Sequence, residues 1–327
     1  MRFNCHSDSY FEKLYFKNAY LSNILRWKMR PPSTLVNRVQ RVELLDNFLK
    51  GVNLIGKKSF IGSDLSELTY LHSEICPDKP WLAIVLAFGL PVGVAKSIFS
   101  SLESDFNVLT WEGRSILGTL PGAPLAESEF HIERHALDLV AVLEELGIEK
   151  CGLIGYCSGA GVALSAANNF RELFSSLVLV NGEYLLLDEE ECLTQFGRDV
   201  DSLYPLAAKD EKTADFILKK LPMTGRDNLP EGFDEAYTKP HYFHRLAANY
   251  VAYRKNDFRS LARSIKQRTL LITGEKDEHC NADSTIAIKE LIADSELFVD
   301  PDGDHHDVFR SGSKTLSRIK DYVREWL

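Results

Sequence analysis

Eight short apolar runs constrain this chain more than any other feature: "KSFIG", "LTYLHSEI", "WLAIVLAFG", "FNVLTWEG", "CGLIGYC", "SLVLVNG", "TLLITGE" and "ELFVD". Between the later runs lie "EFHIERHALDLVAVLEELG", "SGAGVALSAANNF", "ADSTIAIKELIA" and "SKTLSRIKDYVREWL", in which apolar residues recur at helical spacing. Strands alternating with helices form βαβ units, and such units build a mostly parallel sheet. "WLAIVLAF" and "SLVLV" have no polar face, so they fit central strands covered on both sides. The expected fold class is α/β: a mostly parallel central sheet, helices on both faces, and an inserted helical cap.

The same patterns divide the chain. Residues 1–56 read as a helical N-terminal extension, with "YFEKLYFKNAYLSNILRWK" at helical spacing and "PPSTLVNRVQRVELLDNFLKG" opening on Pro and closing on Gly. Residues 57–182 and 268–327 read as the core. Between "SLVLVNG" and "TLLITGE" some 85 residues intervene, 183–267, helical in pattern and punctuated by Pro205, Pro222, Pro230 and Pro240. That is too long for a loop joining neighbouring strands, so it reads as a cap.

Composition excludes several classes. No run of 18 apolar residues appears, and the N-terminus lacks the apolar stretch of a signal peptide. The net charge of −9 opposes general nucleic-acid binding. Six cysteines, at 5, 76, 151, 157, 192 and 280, show no CxxC pair. Scattered thiols point to a reducing, cytoplasmic setting without a disulfide framework, and they lack the local spacing of a zinc site. No metal and no bound cofactor is expected. One stretch departs from the acidic balance: residues 239–268 hold eight Lys or Arg and one acid, Asp257. They form either a solvated helix face or a docking patch for an acidic partner. Phe243, Tyr250 and Tyr253 in the same stretch read either as packing residues or as pocket lining.

"GYCSGAG" carries the chemistry. Gly155-Tyr156-Cys157-Ser158-Gly159 follows a strand and opens a helix, the context of a nucleophile elbow. The central position is Cys157. Ser158 falls on the first turn of the helix, where its side chain points elsewhere. A helix N-terminus favours the thiolate. A cysteine nucleophile needs a base, and the base needs an orienting acid. In the order nucleophile, acid, histidine, these are Asp277 in "GEKDEH" and His305 in "PDGDHHDVF". Glu275 is the alternative acid, His306 the alternate base, and His279 a weaker one. The oxyanion of an acyl-transfer site needs N–H donors. Ser158 is one, and Leu90 in "AFGLPVG" is placed to be the other.

These motifs, in this order around an insertion, resemble the α/β-hydrolase fold over residues 57–327. "FGLPVG" matches that family's His-Gly-x-Pro turn with Phe88 in place of the histidine, and "TWEGRS" stands where many members carry an arginine-containing turn. The elbow cysteine narrows the resemblance to members with a sulfur nucleophile, among them the aminoacyltransferases of nonribosomal peptide biosynthesis. That resemblance implies transfer of an acyl or aminoacyl group between carrier-protein thiols through a Cys157 thioester. The phosphopantetheine would belong to the carrier, and the basic stretch would receive it. The alternative is a thioesterase or an ester or lactone hydrolase using the same Cys157-His305-Asp277 set.

Overall fold

Successive side chains of a strand point to opposite faces of its sheet, and here both faces are buried. On one face lie Leu82, Ile84, Val108, Ile154, Val178, Val180, Leu270 and Ile272. Their neighbours Ala83, Val85, Leu109, Leu153, Leu177, Leu179 and Leu271 lie on the other. The structure, a computed structural model, describes residues 54–61, 67–184, 186, 193–221 and 230–326. The helical extension expected over 1–56 lies outside the described residues except for 54–56. Those three already belong to the first strand, so the sheet begins before residue 57.

The strands are β1 (Leu54–Ile61), β2 (Glu67–Ser73), β3 (Trp81–Val85), β4 (Asn107–Trp111), β5 (Cys151–Tyr156), β6 (Phe174–Val180), β7 (Arg268–Gly274) and β8 (Ser295–Asp300). They form one eight-stranded sheet in the order β1-β2-β4-β3-β5-β6-β7-β8. Strand β2 runs against both its neighbours, and every pair from β4 to β8 is parallel. The central strands β3, β5 and β6 are thus covered by helices on both sides, as their unbroken apolar sequence requires.

Helices α1 (Lys96–Leu102), α2 (Ile132–Glu145) and α3 (Ser158–Asn169) follow β3, β4 and β5. Helix α1 buries Ile98, Phe99 and Leu102 on the face that also receives Leu316, Ile319 and Val323. Helices α2 and α3 bury Leu139, Leu143, Val162 and Ala166 on the opposite face. Between β6 and β7 lie α4 (Gln195–Ala207), α5 (Glu211–Leu218), α6 (Pro240–Tyr253) and α7 (Phe258–Ser264). Three of these start on side-chain caps: Thr194, Asp210 and Asp257 accept the N–H groups of Gly197, Thr213 and Ser260. Helix α6 starts on Pro240 at a position where no N–H is needed. Pro205 differs from the punctuation expected of it. Helix α4 runs through it to Ala207, and only the last turn loses a bond. Helices α8 (Ala282–Lys289) and α9 (Lys314–Trp326) follow β7 and β8.

One buried ion pair explains "TWEGRS". Arg114, fully buried after β4, donates from Nε to Asp138 of α2 at 2.6 Å, with a second bond from Nη2. It ties the turn leaving the sheet to the helix that follows. No helix among the described residues is long and apolar enough to cross a membrane.

Candidate functional site

The elbow is built by backbone crowding. Cys157 adopts φ 53°, ψ −123°, a left-handed conformation that costs a non-glycine residue. Its N–H donates to Val180 O at 3.0 Å and its carbonyl accepts from Ala160 at 3.0 Å, which holds the turn between β5, β6 and α3. A Cβ on Gly155 would lie 2.7 Å from Ala160 Cα, and one on Gly159 would meet the Val85 carbonyl. Glycine at these two positions lets β5 turn into α3 with no intervening loop.

Asp277 and His305 come from the loops after β7 and β8. His305 Nδ1 and Asp277 Oδ2 are 2.8 Å apart, with both residues buried. The other Asp277 oxygen accepts the N–H groups of His279 and Cys280, each at 2.8 Å, so the carboxylate is fixed before it orients the imidazole. The His loop is held from β6. Asn181, with φ 46°, donates its side-chain amide to the carbonyls of Asp304 at 3.1 Å and His305 at 2.9 Å. Ligand atoms of Cys157, Cys280 and His305 lie within 4.8 Å of one another. The fold therefore brings Cys157, Asp277 and His305 together.

The rivals are placed elsewhere. Glu275 is exposed, and its N–H closes onto Asp300 O at 3.0 Å. His306 Nδ1 meets the Tyr156 hydroxyl at 3.2 Å and its ring packs on Phe233, while burial pushes its pKa down to about 4. His279 stacks on His305 at 4.5 Å, and burial pushes it down to about 3. Both are kept neutral beside a charged His305.

Electrostatics favour a thiolate–imidazolium pair. The Cys280 thiol donates to the Cys157 sulfur and draws the Cys157 pKa well below its ordinary value. Burial opposes this, while the His305 charge and bond and the Ser158 N–H add to the lowering. Cys280 itself is pushed well up, first by that same bond and then by burial, so it keeps its proton. Burial acts against charge on His305, yet the facing Cys157 and Asp277 charges outweigh it and hold the imidazole up to about 10.

The oxyanion donors require a correction. The Ser158 N–H faces the Cys157 sulfur. Leu90 does not offer a free donor, because its N–H closes its own turn onto Ala87 O at 3.3 Å. The turn is instead tied to α3 by Phe88 N–H, which donates to Ser158 Oγ at 3.1 Å. The Ser158 hydroxyl thus anchors the turn rather than serving as a nucleophile.

Sequence reasoning missed two residues. Cys280 stands three positions after the acid, and Glu183 stands in "NGEY" directly after β6. Glu183 Oε2 lies 3.9 Å from Cys157 Sγ, and the Tyr250 hydroxyl donates to Oε1. Their places in the segments that follow β7 and β6 are the signal the sequence carried. Local cysteine spacing also concealed a cluster. Cys157, Cys280 and His305, or Asp277, His279 and His305, are grouped closely enough to hold a metal ion, but only at the expense of the bonds just described.

The basic stretch is partly consumed internally. Arg245 is buried and donates to the carbonyls of Ser115, Ala123 and Pro124. Arg254, Lys255 and Arg268 pair with Asp201, Glu127 and Glu296. Arg263 and Lys266 are exposed. Among the aromatics, Phe243, Tyr250 and Tyr253 are buried packing residues. Tyr250 and Tyr253 also reach Glu183, the latter donating to its carbonyl at 2.6 Å.

Residues 115–311 match the alpha/beta hydrolase fold family. An L-allo-isoleucyltransferase of Pseudomonas savastanoi pv. glycinea is 31% identical over 170 residues, covering 50% of this chain and 58% of that protein. A putative carbamate hydrolase RutD of Stutzerimonas stutzeri (strain A1501) is 31% identical over 111 residues, covering 34% of this chain and 41% of that protein. The chain thus spans about half the length of these curated relatives. Among solved structures, a hydrolase from Pseudomonas aeruginosa PA01 superposes with a TM-score of 0.62 at 20% identity, over 83% of this chain and 98% of that one. An enol-lactonase from Burkholderia xenovorans LB400 gives 0.61 at 18% identity, over 82% of this chain and 99% of the other. With the family match spanning more than half the chain, and an elbow, acid and histidine set on a parallel sheet, the protein belongs to the alpha/beta hydrolase fold family.

Proposed function

We propose that this protein is an aminoacyl or acyl transferase that moves its cargo between carrier-protein pantetheine thiols through a thioester on Cys157. The observation that carries this reading is the sulfur at the elbow, grouped with a His305 that Asp277 orients, an arrangement that favours the thiolate. The similarity to an L-allo-isoleucyltransferase supports it. The Cys157 thiolate attacks the donor's carbonyl carbon, with the Ser158 N–H facing the developing oxyanion. As the carbon–sulfur bond to the donor breaks, His305 gives its proton to the departing pantetheine thiolate. The acceptor thiol then returns a proton to His305 and takes the acyl group, which restores the Cys157 thiolate. Donor, intermediate and product are all thioesters, so each step is nearly balanced in free energy. A serine would hold the group as a more stable oxoester.

Helices α4 to α7 act in this reading as a cap that limits water during the life of the acyl-enzyme. Exposed Arg263 and Lys266 contribute to docking an acidic carrier, and a reducing cytoplasm suits a reactive thiol beside a second cysteine. Hydrolysis is the second reading, favoured by the similarity to a putative carbamate hydrolase. The test is to mix the protein with a labelled aminoacyl carrier and a second, unloaded carrier. Mass spectrometry should find the acyl group on Cys157 and then label on the second carrier. Free acid with no label on the second carrier would establish hydrolysis instead.

A further inference from the structure

Glu183 is badly placed for thiol chemistry alone. The Cys157 thiol, when protonated, donates to Glu183 Oε2 at 3.9 Å, and a negative charge there disfavours the thiolate. Burial, followed by the Cys157 charge, raises its pKa to about 8. The residue is nevertheless held there from several sides. Its N–H donates to the Cys157 carbonyl at 3.2 Å, its carbonyl accepts from Tyr253 at 2.6 Å, and Tyr250 bonds its Oε1. Oε2 is left facing the sulfur, beside a small cavity lined by Leu186, Thr194, Cys280 and Asn281.

A carboxyl fixed against a nucleophile in this way suits a cargo that brings its own positive charge. We infer that Glu183 binds the α-ammonium group of an aminoacyl cargo and so makes the site selective for aminoacyl over plain acyl thioesters. This rests on the reading that Cys157 carries the cargo as a thioester. In such a thioester only the carbonyl carbon and the α-carbon separate the nitrogen from the sulfur. A carboxylate within van der Waals reach of that sulfur is therefore within hydrogen-bonding reach of the nitrogen. When the ammonium arrives, Glu183 releases its proton to solvent and the two charges pair. Tyr250 remains on Oε1 and keeps Oε2 aimed at the nitrogen. A desamino cargo leaves the carboxyl without a cation and gains nothing from it.

The test uses the N-acetylcysteamine thioesters of valine and of 3-methylbutanoic acid, which differ only in the amino group. Intact-mass spectrometry follows loading of Cys157. The wild-type protein should load valine at least ~30-fold faster, in line with a charge-assisted bond in a partly desolvated site. Glu183→Gln should bring the ratio of the two rates towards one, and Glu183→Asp should restore part of it. Tyr250→Phe, which removes the bond aiming the carboxyl, should lower the ratio several-fold and serves if the glutamine variant fails to fold. Equal loading of both thioesters by the wild type, or an unchanged ratio in the folded variants, overturns the assignment to Glu183. No adduct from either thioester would instead sink the underlying reading of Cys157.

Discussion

The two ends of β5 carry the same side chain in different surroundings. At its start Cys151 is buried within the sheet, and burial alone pushes its thiol up to about 12. Just past its end Cys157 sits half-buried at a strained turn, where Cys280, His305 and the Ser158 N–H draw its pKa down. Reactivity here is therefore a property of the strand's carboxyl end. There the loops after β6, β7 and β8 converge: the Asn181 amide holds the His305 loop, the Asp277 carboxylate bonds the His305 imidazole, and that imidazole lies beside the Cys157 sulfur. Among the described residues, the amino end brings no charged group to the Cys151 thiol, whose pKa is shifted by burial alone.

The largest expected effect separates the two thiols outright. Cys157→Ala should lower transfer at least ~10⁴-fold and abolish the adduct. Cys151→Ala should leave the rate within about twofold and cost about 1–2 kcal/mol of stability, measured by urea unfolding. Comparable loss of rate in both would break the contrast. Next in size is Asp277→Asn, which leaves the loop's shape but presents the wrong partner to His305. Transfer should fall about 10³–10⁴-fold.

Alkylation by iodoacetamide sharpens the comparison through pH. A depressed pKa keeps the thiolate populated as pH falls from 8 to 6, so Cys157 should stay reactive over that range. The raised pKa of Cys151 keeps it protonated throughout, and its peptide should remain unlabelled. A tenfold fall in the Cys157 rate per pH unit below 8 would mark an ordinary thiol.

Smaller effects probe what holds the carboxyl end in place. Gly159→Ala drives a Cβ into the Val85 carbonyl and should destabilise the fold by about 1–3 kcal/mol in thermal unfolding. Charge reversal at exposed Arg263 and Lys266 together should raise KM for an acidic carrier about threefold to tenfold with kcat unchanged. An unchanged KM would remove those two residues from any docking role.

Much of this was legible in the residues. Each of the eight apolar runs overlaps a strand, because a period of two or a short unbroken apolar run is the pattern of a strand. Cys157, Asp277 and His305 could be named because each follows a strand end, and parallel strands deliver their carboxyl ends to one edge. Leu90 failed for a local reason. Its position in the turn was readable, but the direction of its N–H depends on whether the turn closes on Ala87. How much of the basic stretch is free to meet a partner was not legible either. Charge counts do not show that Arg245 is buried against carbonyls or that Arg254, Lys255 and Arg268 have acidic partners far away in the chain.

The sequence by itself determined the strands, the order of the chemical groups and the glycines that permit the elbow. Each of these is a matter of local sterics and of apolar periodicity. Only the tertiary structure decided that Cys280 would donate to the nucleophile, that Asn181 would hold the His305 loop, and that Glu183 would face the sulfur. Those contacts join segments from different crossovers, and nothing in the spacing along a chain encodes how closely two loops approach once the sheet has brought them side by side.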